Sequence, residues 1–334
     1  MQKTKQLSLM DAVLSFSRRS KTSKAVATLS SINKMVNWQA LVNIVSGLDK
    51  SQTNKGGRPP ISFEIKFKML FLQHTFNLSD EELEDQLIDR LSFQQFVGLS
   101  FDQEIPDFTT IWKFKEALIQ NKLMDRIFSS IVSQIELHGL ILKKGTIVDA
   151  TIIPSSNKPL SKKKREELET KPSAQIDTQA QSTEKNGKKY FGYKGHIGVD
   201  VQSKIIRKRI FTPANVHDSV EFENVLSGDE KSVWADKAYP TKKLKKAART
   251  MGIYYGVLDK ASRNNPLSAK QQRRNKQKSS VRAAVEHPFA FMVKKLKVTV
   301  LAAKNKIRNA LRFDMWCMVY NVCRAAYLLK RQVA

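Results

Sequence analysis

At Gly145 the apolar pattern of the chain changes period, and that change restricts the possible folds more than any other feature. Ahead of it the spacing is helical. Met35, Trp38, Leu41, Val42 and Ile44 predict an amphipathic helix over Met35 to Asp49, ended by Gly47. Phe63 to Phe76 reads as a strongly apolar helix, and Ser79-Asp-Glu-Glu82 as a capping box opening another through about Arg90. Thr109 to Ile119 and Leu123 to His138 complete the helical part. Behind Gly145, Thr146 to Ile153, Tyr193 to Asp200 and Ile205 to Phe211 are β-rich, the last two forming a hairpin that turns near Gln202-Ser203. A short helix from Asp218, its N-cap, to Leu226 follows, then a strand at Ser232 to Ala235 and a helix from Thr241 to Thr250. A strand at Ile253 to Leu258 and a long basic helix from Ala269 to Lys295 close the order β-β-β-α-β-α-β-α. That order is a mixed α/β layer, not a repeating βαβ barrel.

Three parts follow along the 334 residues: a basic arm over 1–34, a helical region over 35–140 and an α/β region over 141–334. Pro154 to Lys189 is polar and Lys-rich with few large apolar residues, so it is expected to be an insertion that orders only on a ligand. Lys55-Gly-Gly-Arg-Pro-Pro60 is a linker by its Gly and Pro content. Arg58 within it has two readings, a minor-groove arm or part of a stiff loop.

Charge is distributed unevenly. From Thr241 onward 23 Lys and Arg face only three acids, Asp259, Glu286 and Asp314, a net of +20 out of +27 for the chain. Such a surface suits a polyanion through phosphate neutralisation and counterion release. Gln271 to Lys278 lacks the apolar face that a membrane-bound basic helix needs, which favours DNA over lipid. No apolar run approaches the roughly 20 residues that cross a bilayer, and no signal peptide is evident, so cytoplasmic residence is expected. Cys317 and Cys323 lie in an apolar helical pattern and read as core filling.

A carboxylate such as Glu286 is out of place on a surface made for polyanions. Asp149, inside the apolar run Thr146-Ile-Val-Asp-Ala-Thr-Ile-Ile153, and Asp236, directly after Ser232-Val-Trp-Ala235, look similarly purposeful. Three carboxylates among cations suggest divalent metal acting on phosphodiesters. Two Mg²⁺ ions roughly 3.5–4 Å apart clamp the attacking and leaving oxygens of such a displacement. The geometry this chemistry needs is an Asp on a central strand, an Asp ending its neighbour and a Glu from a helix packed on both. Mg²⁺ takes oxygen ligands and keeps several waters, and Mn²⁺ is a plausible substitute.

Longer motifs join these acids: Ile147-Val-Asp-Ala-Thr-Ile-Ile-Pro154, Tyr190-Phe-Gly-Tyr-Lys-Gly-His-Ile-Gly-Val-Asp200, Thr212-Pro-Ala-Asn-Val-His-Asp218, Ala235-Asp-Lys-Ala-Tyr239 and Arg282-Ala-Ala-Val-Glu-His-Pro-Phe289. Together with Gly57-Arg-Pro-Pro-Ile-Ser62, they resemble the DDE transposases of bacterial insertion sequences, in the group named after insertion sequence five. The resemblance runs from about Asn37 to Leu329. It implies a ribonuclease H-like mixed sheet flanked by helices, preceded by a helical domain, with Asp149, Asp236 and Glu286 as a catalytic, metal-binding triad. It also implies DNA as partner, both transposon ends and target, and a homodimer or higher assembly on that DNA. In related enzymes a Tyr-Arg-Glu-Lys signature surrounds the Glu. Arg282 matches it, Ser279 stands at the Tyr position, and Val293 at the Lys position with Lys294 one step late. One step turns a helical side chain by about 100°. Pro288, two residues after the Glu, is placed to bend that helix and restore the phase. The cations assigned to DNA are Arg282, Lys294, Lys295, Lys297, Lys237, Lys194 and Arg58.

Other residues keep two readings each. His196 and His217 either position DNA or serve the core; Trp234 is a core anchor or a base-stacking wedge; His287 is expected to point away from the site. Phe289, Met292 and Leu296 read as core packing, Asp200 as a turn residue and Asp218 as a cap. Three functions stay open: a transposase that cuts and joins, a catalytically silent DNA-binding derivative, and a nuclease that hydrolyses without joining.

Overall fold

The computed structural model describes residues 23–48, 60–100, 102–171, 173, 175–185, 187–239, 242–261 and 266–333. Arg58 and residues 1–22 of the expected arm lie outside the described residues. Helices α1 (Lys24–Met35), α2 (Trp38–Val45), α3 (Phe63–Phe76), α4 (Asp80–Asp89), α5 (Leu91–Val97), α6 (Phe108–Gln120) and α7 (Met124–Leu137) precede the sheet. Local chemistry sets their ends. The Ser79 hydroxyl accepts from the Glu82 amide at 3.1 Å while the Glu82 carboxylate accepts from the Ser79 amide at 2.7 Å, the expected capping box. Helix α3 is buried on all sides from Phe67 to Thr75, as a helix without a polar face must be. Helix α1 falls in the stretch expected to be an arm, and its Leu29, Ile32 and Met35 are buried.

The six-stranded sheet comprises β1 (Thr146–Pro154), β2 (Gln181–Lys185), β3 (Lys188–Asp200), β4 (Ile206–Pro213), β5 (Ser232–Trp234) and β6 (Tyr254–Tyr255). The order is β4-β3-β1-β5-β6, with β2 paired to the start of β3. β3 is antiparallel to both β1 and β4, whereas β5 runs parallel to β1 and β6 parallel to β5. This is the expected mixed, ribonuclease H-like sheet. The remaining helices are α8 (Lys162–Thr170), α9 (Lys242–Thr250), α10 (Ala269–Arg282), α11 (Glu286–Lys294) and α12 (Lys306–Val333).

Three local expectations fail for identifiable reasons. The long basic helix is broken by a 3₁₀ turn at Ala283–Val285, between α10 and α11. Pro288 has no N–H for the Ala284 carbonyl and its ring crowds that oxygen, so the preceding turn tightens. The helix from Asp218 to Leu226 is only a 3₁₀ turn at Asp218–Val220. Asp218 does not cap it, because its carboxylate accepts from Lys194 at 2.9 Å, and His217 Nδ1 accepts from the Ser219 amide instead. The insertion 154–189 contains α8 and β2. It is tied to the sheet by the Tyr193 hydroxyl, which donates to the buried carboxylate of Asp177 at 2.8 Å, while that carboxylate also accepts from the amides of Gln179 and Ala180.

One buried cluster runs from Leu29 in α1 through the helices and the β1/β3/β4 face to Ala325 in α12. Helix α12 joins its two halves. It contacts α1, α3, α6 and α7 as well as β4. Asn321 clamps β4 directly, accepting from the Ile206 amide at 2.8 Å and donating to the Ile206 carbonyl at 2.7 Å. Phe313 approaches β3 so closely that a Cβ at Gly195 would sit 2.3 Å from its ring. Cys317 is buried and Cys323 partly so, both free, within this helix. No helix among the described residues is long and apolar enough to cross a membrane.

Candidate active site

Parallel pairing between β1 and β5 brings the two strand acids together. Thr146 pairs with Val233 and Ile147 with Trp234, an offset of 233 − 146 = 87 residues, and the same offset carried to Asp149 reaches Asp236. Asp149 projects from a strand whose preceding residues Ile147 and Val148 are fully buried, and Asp236 follows the last residues of β5. Glu286 opens α11 just past the 3₁₀ turn. All three border one cavity of about 530 Å³.

The three acids of the basic C-terminal stretch separate here by their partners. Asp259 pairs with Arg274 and Lys278, and Asp314 with Arg209. Glu286 is exposed, and among the described residues no cation pairs with it. Among the described residues the Asp236 carboxylate accepts from the Lys237 amide alone, at 2.7 Å. Asp149 accepts from the Ala150 amide at 2.9 Å and from Arg282 Nη2 at 3.0 Å. Burial pushes the Asp149 carboxyl above the usual carboxylate range, the Arg282 guanidinium and the Ala150 amide pull it back, and Asp236 adds a smaller upward push. The cavity therefore favours cations.

Every one of these donors is a carboxylate oxygen, which fits a hard divalent cation such as Mg²⁺ or Mn²⁺ and not a thiolate-seeking metal. Among the described residues no three His, Cys, Asp or Glu side chains are gathered tightly enough to ring an ion. The carboxylates border a shared cavity, with Arg282 against one of them.

The assigned cations are placed very differently from one another. Arg282 borders the cavity. Lys194 does too, but it is turned inward, donating to the Val216 carbonyl at 2.8 Å and to Asp218 at 2.9 Å. Lys237 is exposed next to Asp236. Lys294, Lys295 and Lys297 are exposed at the far end of α11, and none of them lines the cavity. Val293 is also exposed, so the displaced signature position does not point to the carboxylates from either residue.

Most residues with two readings have core partners. His196 is buried and bonded to Thr212 at 2.8 Å, a core histidine. His217 borders the cavity. Trp234 packs on Tyr254 and donates to Ser232, which makes it an anchor. His287 turns to the Tyr320 hydroxyl, 3.0 Å away, and Asp200 holds its turn by accepting from Ser203. Met292 and Leu296 are buried, while Phe289 reaches the cavity wall.

Tyr239 escaped the sequence reading. Its ring is buried at the cavity, its hydroxyl has no hydrogen-bond partner among the described residues, and burial pushes its phenol well up. The signal was its place three residues after Asp236 in Ala235-Asp-Lys-Ala-Tyr239.

Comparison with known proteins gives two family matches. A model described as the transposase DDE domain matches residues 141–322, and one described as a transposase domain (DUF772) matches residues 17–117. Among solved structures, the cryo-EM structure of the piggyBac transposase synaptic complex with hairpin DNA is similar at 10% identity, covering 94% of this chain and 77% of that one, with a TM-score of 0.46. The crystal structure of the Mos1 strand transfer complex matches at 10% identity over 76% of this chain and 82% of that one, with a TM-score of 0.20.

Proposed function

The chain belongs to the transposase DDE-domain family, and from that premise we propose that it binds the terminal inverted repeats of an insertion sequence, cuts the DNA ends and joins them to target DNA. We assign it to the group named after insertion sequence five. Asp149, Asp236 and Glu286 act as the metal-holding triad, with two Mg²⁺ ions, replaceable by Mn²⁺, as cofactor. When bound, such ions neutralise charge on the attacking and leaving oxygens of an in-line displacement at phosphorus.

The chain's own residues supply the rest. The β1–β5 pair holds Asp149 and Asp236 on rigid backbone, and α11 brings Glu286 to the same cavity. Arg282, within reach of Asp149, neutralises the phosphodiester seated there. Lys237, Lys294, Lys295 and Lys297 face solvent and attract the flanking backbone. Lys194 acts within the wall, fixing Asp218 and the Val216 carbonyl. In joining, a DNA 3′-hydroxyl oxygen bonds to a target phosphorus, the phosphorus–oxygen bond to the target's own 3′ oxygen breaks, and the hydroxyl proton passes to solvent. We assign end recognition to 35–140, and pairing of two ends to at least a dimer.

The observation that carries this reading is that Glu286, alone among the acids of the basic stretch, has no cation partner among the described residues and stands on the cavity of Asp149 and Asp236. The test is Mg²⁺-dependent cleavage and joining on DNA carrying the sequences that flank this gene, with native chain and Glu286→Gln. Joined product from the native chain alone, with binding retained by both, is the expected result. Cleavage without a joined product selects the nuclease. Binding without cleavage under any metal selects the silent derivative, and equal behaviour of both proteins removes Glu286 from the site.

A further inference from the structure

The cavity continues beyond its carboxylates. Past Thr151 and Ile152 it runs into a second depression of about 400 Å³ walled by Lys185, Lys188 and Tyr190, and Thr151, Ile152 and Lys185 belong to both. The added wall is the β2–β3 hairpin, which turns through Gly187 at φ 73°. Its register sets Lys185 directly opposite Lys188 and Thr183 directly opposite Tyr190. Residues two apart share a face of a strand, so these four side chains stand together.

Charge along this hairpin is not balanced. Glu184 opposes Lys189, a compensated pair, but one step nearer the turn lysine opposes lysine. Like charges directly opposite across an antiparallel pair destabilise it. Both Lys185 and Lys188 are exposed, and neither has an acidic partner among the described residues. A repulsive pair at the mouth of a phosphodiester site is relieved by an anion between the two ammonium groups. Tyr190, half-buried beside them, offers a flat aromatic face, and Thr183 a hydroxyl. A duplex presents its phosphates but keeps its bases stacked inside, whereas an unpaired strand presents both. Cations that track the backbone beside an aromatic that stacks a base are the features that hold single-stranded DNA.

We propose that this hairpin face holds the DNA strand leaving the carboxylate cavity, unpaired for at least one nucleotide, with a phosphate between Lys185 and Lys188 and a base on Tyr190. The inference rests on the function proposed above. It gives the insertion 154–189 a task in the reaction, that of positioning the strand at the scissile phosphate.

The test uses the full chain and two probes, a short fluorescent single-stranded oligonucleotide of mixed sequence and the same sequence as duplex. For Lys185→Ala/Lys188→Ala, the slope of log Kd against log salt on the single strand should fall by about 0.7, the contribution of the one phosphate held between the two lysines. Tyr190→Ala should weaken single-strand binding by roughly tenfold. The loss should vanish on an abasic strand, and Tyr190→Phe should bind as the native chain does. A strand carrying 5-iodouracil should crosslink to the peptide containing Tyr190. An unchanged salt slope in the double variant overturns the phosphate contact, and equal weakening by Tyr190→Ala on abasic and base-bearing strands overturns the stacking. If the native chain cuts flanking DNA while the hairpin variants match it on every probe, this inference fails and the proposed function stands. If the hairpin variants lose the strand as expected but the native chain never cuts, the proposed function fails and the binding face stands.

Discussion

Arg282 and Asp149 are bonded to each other at 3.0 Å, so the arginine assigned to neutralise DNA is held by a carboxylate assigned to metal. The two assignments compete. Asp149 cannot give its Oδ2 to a metal ion and to this guanidinium in the same geometry. Removing the guanidinium should therefore strengthen metal binding in the absence of DNA while weakening cleavage. Hydrogen bonds to charged groups contribute about 1.5–3 kcal/mol, so Arg282→Gln is expected to lower the Mn²⁺ Kd by about tenfold or more. Calorimetric titration with Mn²⁺ reads this directly; an unchanged or weaker affinity means the pair does not compete.

His74 makes the helical region acid-sensitive. It is buried, its Nδ1–H donates to the Leu70 carbonyl, and burial lowers its pKa from 6.5 to about 3. The unfolded chain therefore takes up a proton that the folded chain refuses. The stability this represents is complete above pH 6.5 and is lost progressively as pH falls towards 3. At about 1.4 kcal/mol per unit, the step from pH 6.5 to 5 should cost about 2 kcal/mol. Urea unfolding at both pH values should show that loss in the native chain and a smaller one in His74→Gln; equal losses would exclude His74 as its source.

Gly195 is required by the ring of Phe313, to which an added Cβ would approach within 2.3 Å. Gly195→Ala should destabilise the chain by about 1–3 kcal/mol, the usual range for overpacking. Phe313→Leu should recover part of that loss in the double variant. Additive losses in a double-mutant cycle would show that the two positions do not meet.

Tyr193 holds the insertion to the sheet through Asp177. In Tyr193→Phe the buried carboxylate keeps the Gln179 and Ala180 amides but loses its hydroxyl donor, a cost of about 1–3 kcal/mol confined to one segment. Limited proteolysis should cut within 160–180 faster than in the native chain, while cleavage elsewhere keeps its rate. A uniform increase along the chain would point to global loosening instead.

The parts of the fold visible in the sequence were those written in adjacent residues. The capping box at Ser79 and Glu82, the β-rich apolar run of Thr146 to Ile153 and the isolation of Glu286 among cations are local facts. What escaped depends on partners far along the chain. The order of the insertion rests on Asp177 meeting Tyr193, and the failure of Asp218 to cap rests on Lys194 taking its carboxylate. A hairpin signal is nevertheless present in Asn186-Gly187, between Lys185 and Lys188, inside the polar stretch that reads as an insertion. Nothing in its own composition distinguished Lys194 from the exposed lysines, because a cation's role is decided by the acid that reaches it.

Helix α12 adds an element of timing. It follows every other described element in synthesis order, yet it covers β4 and four of the first seven helices at once. While a chain is still being translated, the helical region and the sheet each keep an apolar face that this helix has yet to cover, and such transient surface favours aggregation. Asp149 and Asp236 leave the ribosome well before α12 does, but the sheet that aligns them lacks its Asn321 clamp until this helix docks. A chain that has made its strand acids but not yet docked this helix would thus carry an unclamped β4, with the sheet around the proposed site still unfinished.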